Sequence, residues 1–335
     1  MIPPEKSEAV ARGLREAFGV TELEDVRIIK DLASSRVFRI VVRGSPFLLK
    51  ISTRTSNPAL HYASMRAAAE AGVAPHVWYS SVEDNVSIED FVEAQPLPLS
   101  EALVRLPAVL RTLHALPQFG RAPFNTSCTF LLNSGPALDG YLQKFQAANI
   151  LPKPECEEFF ARYAELTAVY PHDDVEMVSS HNDLFKPDNI LFDGQRVWLV
   201  DWEAAFLNDR YADLAVVANQ LVTNDEEEML YLQKYFAAAP DEYQLARFHL
   251  MQQIAHLFYA LAFLFLGSSG KPVDWSGTVP EFSDYHRRMW AGEIDLANQD
   301  VKIVYGRVHW NQLLQNVRQA RYNQALRIVS DRHSK

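Results

Sequence analysis

The chain has 335 residues, of which 48% are hydrophobic and 22% charged, as is typical of a soluble globular protein. Lysine and arginine total 32 against 42 acidic residues, and the net charge of −10 argues against nucleic acid or an anionic membrane as a partner. The two cysteines, with no cysteine–histidine cluster and no apolar signal core at the N-terminus, argue against a zinc site, a disulfide framework and export, so we expect a cytoplasmic protein.

The first 92 residues predict a small sheet with one inserted helix. A short amphipathic helix over 5–18 comes first, and an Ala-rich helix over 58–71 interrupts the strands. The predicted strands cover 26–32, 37–42, 47–52, 76–82 and 86–92. The first three are separated by tight connections, which predicts an antiparallel meander.

The chain beyond residue 100 is predicted to be mainly helical. Helical patterns cover 102–116, 138–149, 156–169 and 243–266. The longest apolar run, 254–266, is thirteen residues long, which is too short for a membrane span and typical of a buried helix. The sequence therefore predicts an α+β fold with a β-rich domain over 1–92, a Pro-containing linker over 93–100 and a helical domain over 101–335.

One β hairpin interrupts the helical half and organises a polar cluster. The segment 190–200 carries an Asp-Gly turn between two apolar runs, which is a strong hairpin signal. Folding it brings Asn189 and Asp201 together at its open end, and the loop with His181 and Asp183 leads into that end. Singly, each residue is compatible with a loop cap or a turn. Their joint spacing, with oxygen ligands and no sulfur, favours a magnesium site.

The motifs HND, a later Asn before an apolar strand, and DWE (201–203) resemble the aminoglycoside phosphotransferase and choline kinase superfamily. The resemblance covers nearly the whole chain and is greatest to bacterial choline, ethanolamine and thiamine kinase-like proteins. It implies a protein-kinase-like two-lobe fold with ATP between the lobes. It also implies that Asp183 is the catalytic base and that Asn189 and Asp201 bind Mg²⁺, while His181 is expected to hold the loop through hydrogen bonds.

The same resemblance assigns roles in the β-rich lobe. Lys50 is the third-strand lysine by position and is expected to contact the nucleotide phosphates. The alternative is an ordinary lysine on an edge strand, where its charge would discourage aggregation. Ser34 and Ser35, in the loop between the first two strands, are expected to cover the phosphates. The adenine is expected at the backbone of Glu89, Asp90 and Phe91.

Three features depart from the family pattern. The interval from Asp183 to Asn189 is six residues, one longer than usual, and a small bulge is expected at Lys186-Pro187. The helix glutamate that partners the strand lysine has no clear match, since Glu70 near the helix end is the only acid there. Gln220-Leu221 stand where choline kinases carry a Glu-Trp pair.

The substrate is expected to be a small alcohol, and a cationic one. Aromatic residues in the C-terminal third would hold a quaternary ammonium group by cation–π attraction, although aromatics at helical spacing more often form a core. The substrate candidates are Tyr259, Trp275, Trp290 and Trp310, with Glu203 facing either the metal or the substrate.

The function that follows is an ATP- and Mg²⁺-dependent kinase acting on an amino alcohol of choline, ethanolamine or thiamine type. An aminoglycoside or sugar kinase of the same fold is the alternative within the class. From a different class, a catalytically inactive nucleotide-binding module would explain the longer loop and the missing glutamate. The sequence does not predict the oligomeric state.

Overall fold

The computed structural model describes residues 2–32, 35–53, 57–121, 143, 145–171 and 177–333. The chain forms two compact units, each assembled from two segments. Unit 1 comprises Met1–Arg121 and Val178–Leu207. Unit 2 comprises Ala122–Met177 and Asn208–Lys335.

Unit 1 is built on a five-stranded antiparallel sheet in the order β1-β2-β3-β5-β4. Its strands are β1 (Asp25–Asp31), β2 (Ser35–Val42), β3 (Ser45–Ser52), β4 (Val77–Ser81) and β5 (Val86–Asp90). The predicted meander and the two later strands are confirmed. Helix α1 (Ser7–Phe18) precedes the sheet, and α2 (Pro58–Glu70) lies between β3 and β4 in the chain.

The two faces of the sheet differ in chemistry because successive strand residues point to opposite sides. Leu49 and Ile88 are fully buried and join Val10 and Leu14 of α1 in one apolar cluster. Lys50 alternates with Leu49 and therefore lies on the other face, opposite Ser87 of β5. That second face carries the polar groups of the site described below.

The rest of unit 1 contains α3 (Leu99–His114) and the whole or part of four short strands, since two of them extend across the boundary into unit 2. They are β6 (Met177–Ser180), β7 (Ile190–Phe192), β8 (Val197–Leu199) and β9 (Phe206–Asp209), which pair as β6-β9 and β7-β8. The predicted hairpin is confirmed, with Ile190 opposite Leu199. Gly194 takes φ +92° in its turn, a conformation that L side chains rarely adopt. Gln95 in the Pro-containing linker donates its backbone amide to the Phe192 carbonyl at 2.6 Å.

Unit 2 is helical over most of its described length. Its helices are α4 (Lys153–Val169), α5 (Arg210–Leu221), α6 (Asp225–Phe236), α7 (Glu242–Ser268), α8 (Phe282–Trp290), α9 (Gln299–Val317) and α10 (Ala320–His333). Half of the helix predicted over 138–149 lies outside the described residues, as does Cys128. Cys156 is a free cysteine.

Helix α7 is the centre of unit 2 and packs against α5, α9 and α10. Its 27 residues are long and apolar enough to cross a membrane by length and composition, although its longest apolar run, 254–266, has thirteen residues. However, 67% of its most apolar window is buried inside the unit, as in the core helix of a globular domain. The prediction of a buried helix is confirmed on this ground instead.

Candidate active site

The loop after β6 is anchored to the hairpin by His181. The ring of His181 is fully buried, and its Nε2 donates to the Val200 carbonyl at 2.9 Å. The ring also packs against Trp202 at 4.7 Å between centroids. Since Val200 immediately precedes Asp201, this hydrogen bond fixes the loop relative to the end of strand β8.

Asn189 reaches back to Asp183 across the longer loop. Its Nδ2 donates to the Asp183 carbonyl at 2.7 Å and to Asp183 Oδ2 at 2.9 Å. Instead of a bulge, a 3-10 turn over Pro187–Asn189 absorbs the additional residue. The six-residue interval therefore keeps the amide and the carboxylate in contact.

Asp183 is a largely buried carboxylate with a cation beside it. Burial raises the pKa of Asp183, and the nearby Asp201 carboxylate adds to this, while the ammonium of Lys186 opposes it. Lys186 Nζ lies 3.3 Å from Asp183 Oδ2. Lys186 was predicted only as part of a bulge, although a cation three residues after the expected base was a usable signal.

Lys50 lies between two carboxylates from the turn that follows β8. Its Nζ is 2.6 Å from Asp201 Oδ1 and 3.0 Å from Glu203 Oε1, and its side chain is 12% exposed. Burial alone would lower the pKa of Lys50, but the two carboxylates outweigh it and hold that pKa above its ordinary value. Burial likewise acts to raise the pKa of Asp201, and Lys50 overrides it and lowers that pKa to about 2.

The carboxylates that contact Lys50 follow strand β8 in the chain. Both carboxylate partners of Lys50 come from the turn at Trp202–Ala204 and its preceding residue, and not from the helix. Glu203, which is expected to face either the metal or the substrate, contacts Lys50 here. In this structure Lys50 therefore forms its ion pairs with the turn after β8.

Helix α2 supplies a buried histidine near Lys50. Burial, with the charge of Lys50, lowers the pKa of His61 to about 3, so its ring is neutral at physiological pH. The ring stacks on Tyr62 at 4.6 Å. His61 was not predicted as a site residue, because one histidine in an Ala-rich helix has no distinguishing local pattern.

Two residues of the site have left-handed backbone conformations. Asn182 has φ +65° and Asp201 has φ +72°, a region that residues other than glycine seldom occupy and in which Asn and Asp are enriched. Asn182 Nδ2 donates to the Ala204 carbonyl at 3.0 Å, which holds the loop against the turn after Asp201. Such conformations persist where surrounding contacts over-determine them, as they do at many functional sites.

The residues expected at the nucleotide lie at the ends of strands. Ser34 is outside the described residues, and Ser35 is buried on β2 opposite Ser52. The Glu89 side chain is buried, accepts a hydrogen bond from Ser87 Oγ at 2.8 Å and has its pKa raised by burial. The Asp90 amide donates to the His76 carbonyl, and the Phe91 ring lies 5.3 Å from the Arg39 guanidinium.

The four aromatic substrate candidates lie in unit 2. Tyr259 and Trp310 are buried in the helical core, where Trp310 packs against Phe159. Trp275 lies under the Arg307 guanidinium at 5.2 Å. Trp290 is half-buried, and its Nε1 donates to Gln220 Oε1 at 3.2 Å, so it contacts the amide that replaces the glutamate of the family pair.

The oxygen donors near Asp183 fit a magnesium ion. Asn189 and Asp201 provide one amide and one carboxylate, and Mg²⁺ is commonly held by one or two carboxylates together with phosphates and waters. Since Asn189 Nδ2 faces Asp183, its Oδ1 is the atom suited to a cation. No group of three or more His, Cys, Asp or Glu suited to a metal occurs within the described ranges, so a cage made of protein groups alone is not formed there.

The fold of this chain is similar to that of solved phosphotransferases. A choline/ethanolamine kinase family protein from Mesorhizobium loti aligns with a TM-score of 0.66 and 19% identity over 97% of this chain and 99% of its own. A putative aminoglycoside phosphotransferase from Ralstonia eutropha aligns with a TM-score of 0.58 and 14% identity over 92% and 98%. Spectinomycin phosphotransferase, in complex with ADP and spectinomycin, aligns with a TM-score of 0.50 and 13% identity over 89% and 97%.

Identities this low establish the protein-kinase-like fold and no more. No curated protein matches the sequence at a significant level. The profile of the phosphotransferase enzyme family, in contrast, matches residues 25–249, which is more than half of the chain and includes both the strand lysine and the catalytic loop. The chain belongs to the phosphotransferase enzyme family and is an enzyme that transfers a phosphoryl group to a hydroxyl acceptor.

Proposed function

We propose that the protein is an ATP- and Mg²⁺-dependent kinase that phosphorylates a small amino alcohol of choline, ethanolamine or thiamine type. The observation that carries this proposal is the buried Lys50 held between Asp201 and Glu203, in the same unit as the Asp183–Asn189 pair. Phosphoryl transfer requires little covalent chemistry from the protein. It requires positioned cations on the phosphates and a carboxylate at the attacking hydroxyl.

Asp183 is assigned as the base that accepts the proton of the acceptor hydroxyl. Burial raises its pKa, which makes the carboxylate a better proton acceptor, and Asn189 Nδ2 orients it through Oδ2. Lys186, 3.3 Å from the same oxygen, keeps the carboxylate ionised and adds positive charge beside the transferred group.

Lys50 is assigned to the nucleotide phosphates. Its raised pKa makes it a permanent cation, and its two carboxylate partners hold it in place until a phosphate offers a competing negative charge. Bound through Asn189 and Asp201, Mg²⁺ would offset the negative charge that accumulates on the phosphates during transfer.

The acceptor class is inferred from two observations. The structural neighbours include a choline/ethanolamine kinase family protein, and the half-buried Trp290 lies against a neutral amide, Gln220. An indole face attracts ammonium groups even where no carboxylate is present. The antibiotic phosphotransferases among the neighbours motivate the alternative of a larger polyhydroxyl acceptor.

The test is ADP release by the purified protein with ATP and magnesium, in the presence of one candidate acceptor at a time. The panel contains choline, ethanolamine, thiamine, homoserine, methylthioribose and kanamycin, and the Asp183→Ala variant is the blank. Turnover on choline, ethanolamine or thiamine that is absent from the blank would support the proposal. Turnover on kanamycin or methylthioribose alone would contradict the amino alcohol and indicate a sugar-type acceptor.

A further inference from the structure

Three buried histidines meet where helices α7, α8 and α9 of unit 2 pack together. They are His256 of α7, His286 of α8 and His309 of α9, and none is more than 2% exposed. The ring centroid of His309 lies 5.2 Å from that of His256 and 5.6 Å from that of His286. None of the three takes part in the phosphoryl transfer assigned above, so this three-histidine cluster requires a separate explanation.

The hydrogen bonds of the cluster fit neutral rings. His256 Nδ1 and His309 Nδ1 lie 3.0 Å apart, so one of these nitrogens donates and the other accepts. His286 Nδ1 donates to the Phe282 carbonyl at 3.0 Å, which leaves its Nε2 to accept from the Tyr305 hydroxyl at 3.3 Å. Each of these contacts uses a lone pair that an additional proton would remove.

An additional proton would also have no counterion in the cluster. Among the described residues, the other titratable groups that face the three rings come from the same three helices, and none of them is a carboxylate. They are His249 and Tyr259 of α7, Tyr285 of α8 and Tyr305 of α9. Burying a charge without a partner is strongly unfavourable, so the folded cluster resists protonation.

Burial accordingly lowers the pKa of all three rings. It lowers the pKa of His256 to about 3 and that of His286 to about 4, and it holds the pKa of His309 well below its ordinary value. The neighbouring histidines add to the effect at His256 and His309. Since these pKa values are depressed by folding, the stability they confer is complete above the ordinary pKa of about 6.5. It is lost as the pH falls below that value, because an opened form binds the proton first.

Helix α8 is a short element whose packing depends on this cluster. It has nine residues, and its Phe282 ring lies 4.8 Å from His256 and 5.1 Å from His309. Its Tyr285 ring stacks on Tyr305 of α9 at 5.6 Å. Helices α7 and α9, in contrast, are also held together by the close approach of their backbones at a glycine of α9. A charge in the cluster is therefore expected to release α8 first.

We propose that the three-histidine cluster makes the docking of α8 sensitive to acid, so that α8 separates from α7 and α9 as the pH falls from about 7.5 to about 5, while the rest of unit 2 stays folded. Trp290, the last residue of α8, would then leave Gln220. Any effect on acceptor binding rests on the role given to Trp290 in the proposed function, but the release of α8 does not.

The test is hydrogen exchange, measured by mass spectrometry on the intact chain at about pH 7.5 and about pH 5, with labelling times corrected for the intrinsic pH dependence of amide exchange. Protection of α8 is expected to fall at least about thirtyfold, the effect of one histidine of ordinary pKa that binds its proton only after opening. Helix α4, which contains no histidine, is expected to keep its protection. Equal losses in α8 and α4, or no loss in α8, would overturn the proposal.

Matched variants assign the effect to the cluster. His286→Phe removes the titrating ring of α8 and keeps an aromatic side chain in its place. Its loss of protection in α8 between the two pH values is expected to be about thirtyfold smaller than in the unmodified protein. His76→Phe, the same change at an exposed histidine of unit 1, is expected to leave the loss unchanged.

His309→Phe takes the place of His286→Phe if the latter does not fold. The comparison of α8 with α4 in the unmodified protein decides the release of α8 in either case. The same pH-dependent loss in His286→Phe as in the unmodified protein would show that the cluster is not the origin of the acid sensitivity.

Discussion

The Lys50 ammonium lies between the carboxylates of Asp201 and Glu203, and the Lys50 side chain is 12% exposed. Removing one partner from a buried ion pair is more harmful than replacing the whole pair, because the remaining charge stays desolvated. Here the lysine is almost buried, while Asp201 and Glu203 are partly exposed, so the loss is moderated by solvent.

We expect Lys50→Met to lower the free energy of unfolding by about 1–3 kcal/mol, between the values typical of exposed and buried pairs. The loss arises because Asp201 and Glu203 then repel each other without a cation. The double variant Lys50→Met/Glu203→Gln should recover part of it. Urea unfolding of the unmodified protein, Lys50→Met, Glu203→Gln and the double variant gives the coupling energy between Lys50 and Glu203.

Lys30→Met is the matched control for this cycle, because Lys30 is an exposed lysine of β1 with one exposed partner, Asp188. We expect it to change stability by less than about 0.5 kcal/mol. Equal effects at the two lysines would mean that the Lys50 ion pair has no special energetic role.

Asp183→Asn separates catalysis from stability at one position. We expect turnover to fall roughly 10²–10⁴-fold, because the general base is lost while the shape is kept. Because the pKa of Asp183 is higher in the folded than in the unfolded chain, its ionised carboxylate opposes folding above the unfolded pKa. The neutral amide in Asp183→Asn removes that charge, so the free energy of unfolding at neutral pH should stay unchanged or increase. Steady-state kinetics and thermal unfolding measure the two effects.

Asp188→Asn, at an exposed acid in the same loop, is the control and should retain nearly full turnover. A similar loss of turnover in both variants would point to a general effect on the loop. Full turnover in Asp183→Asn would remove Asp183 from the role of base.

At the scale of elements, helices α7 and α9 approach unusually closely. A Cβ added at Gly306 of α9 would lie 2.7 Å from Leu264 Cγ and 2.9 Å from the Leu264 backbone nitrogen. The reciprocal contact occurs at Gly267 of α7, where a Cβ would lie 2.9 Å from the Gln299 carbonyl. Backbone atoms cannot move aside as a side chain can, so these two glycines set the distance between the helices.

We expect Gly306→Ala to destabilise the protein by about 1–3 kcal/mol through overpacking, although alanine is the better helix former by about 1 kcal/mol. Asn311→Ala, at an exposed position of the same helix, isolates the propensity effect and should be neutral or slightly stabilising. Thermal unfolding of both variants checks this. Stabilisation by Gly306→Ala would show that the helices separate freely.

At the scale of the whole molecule, nucleotide binding should be visible as added stability. Since a ligand that binds only the folded state stabilises it by about 2.7 kcal/mol at a hundredfold excess over Kd, ATP with Mg²⁺ should raise the melting temperature. We expect Asp201→Asn to lose the part of this increase that depends on magnesium. If ATP raises the melting temperature of the unmodified protein and of Asp201→Asn equally, with magnesium present or chelated, Asp201 is not a metal ligand.

Much of unit 1 was predictable from local patterns. The meander and the 190–200 hairpin follow from period-two alternation and an Asp-Gly turn, which involve residues close together in the chain. The hairpin then placed Asp201 next to Asn189 in the prediction, before any long-range contact was considered. The family resemblance identified the strand lysine and the loop acid for the same reason, since their motifs are local.

The tertiary structure decided which distant groups meet. Lys50 and Asp201 are 151 residues apart, and no pattern within either segment indicated that Glu203 would take the place of a helix glutamate. The burial of α7 and the neutral His61 beside Lys50 likewise depend on packing between segments far apart in the chain. The sequence by itself therefore determined the strands, the hairpin and the position of the loop over 181–189 through short-range geometry. Charge pairing and burial were decided only by the fold, because both depend on neighbours that are distant in sequence.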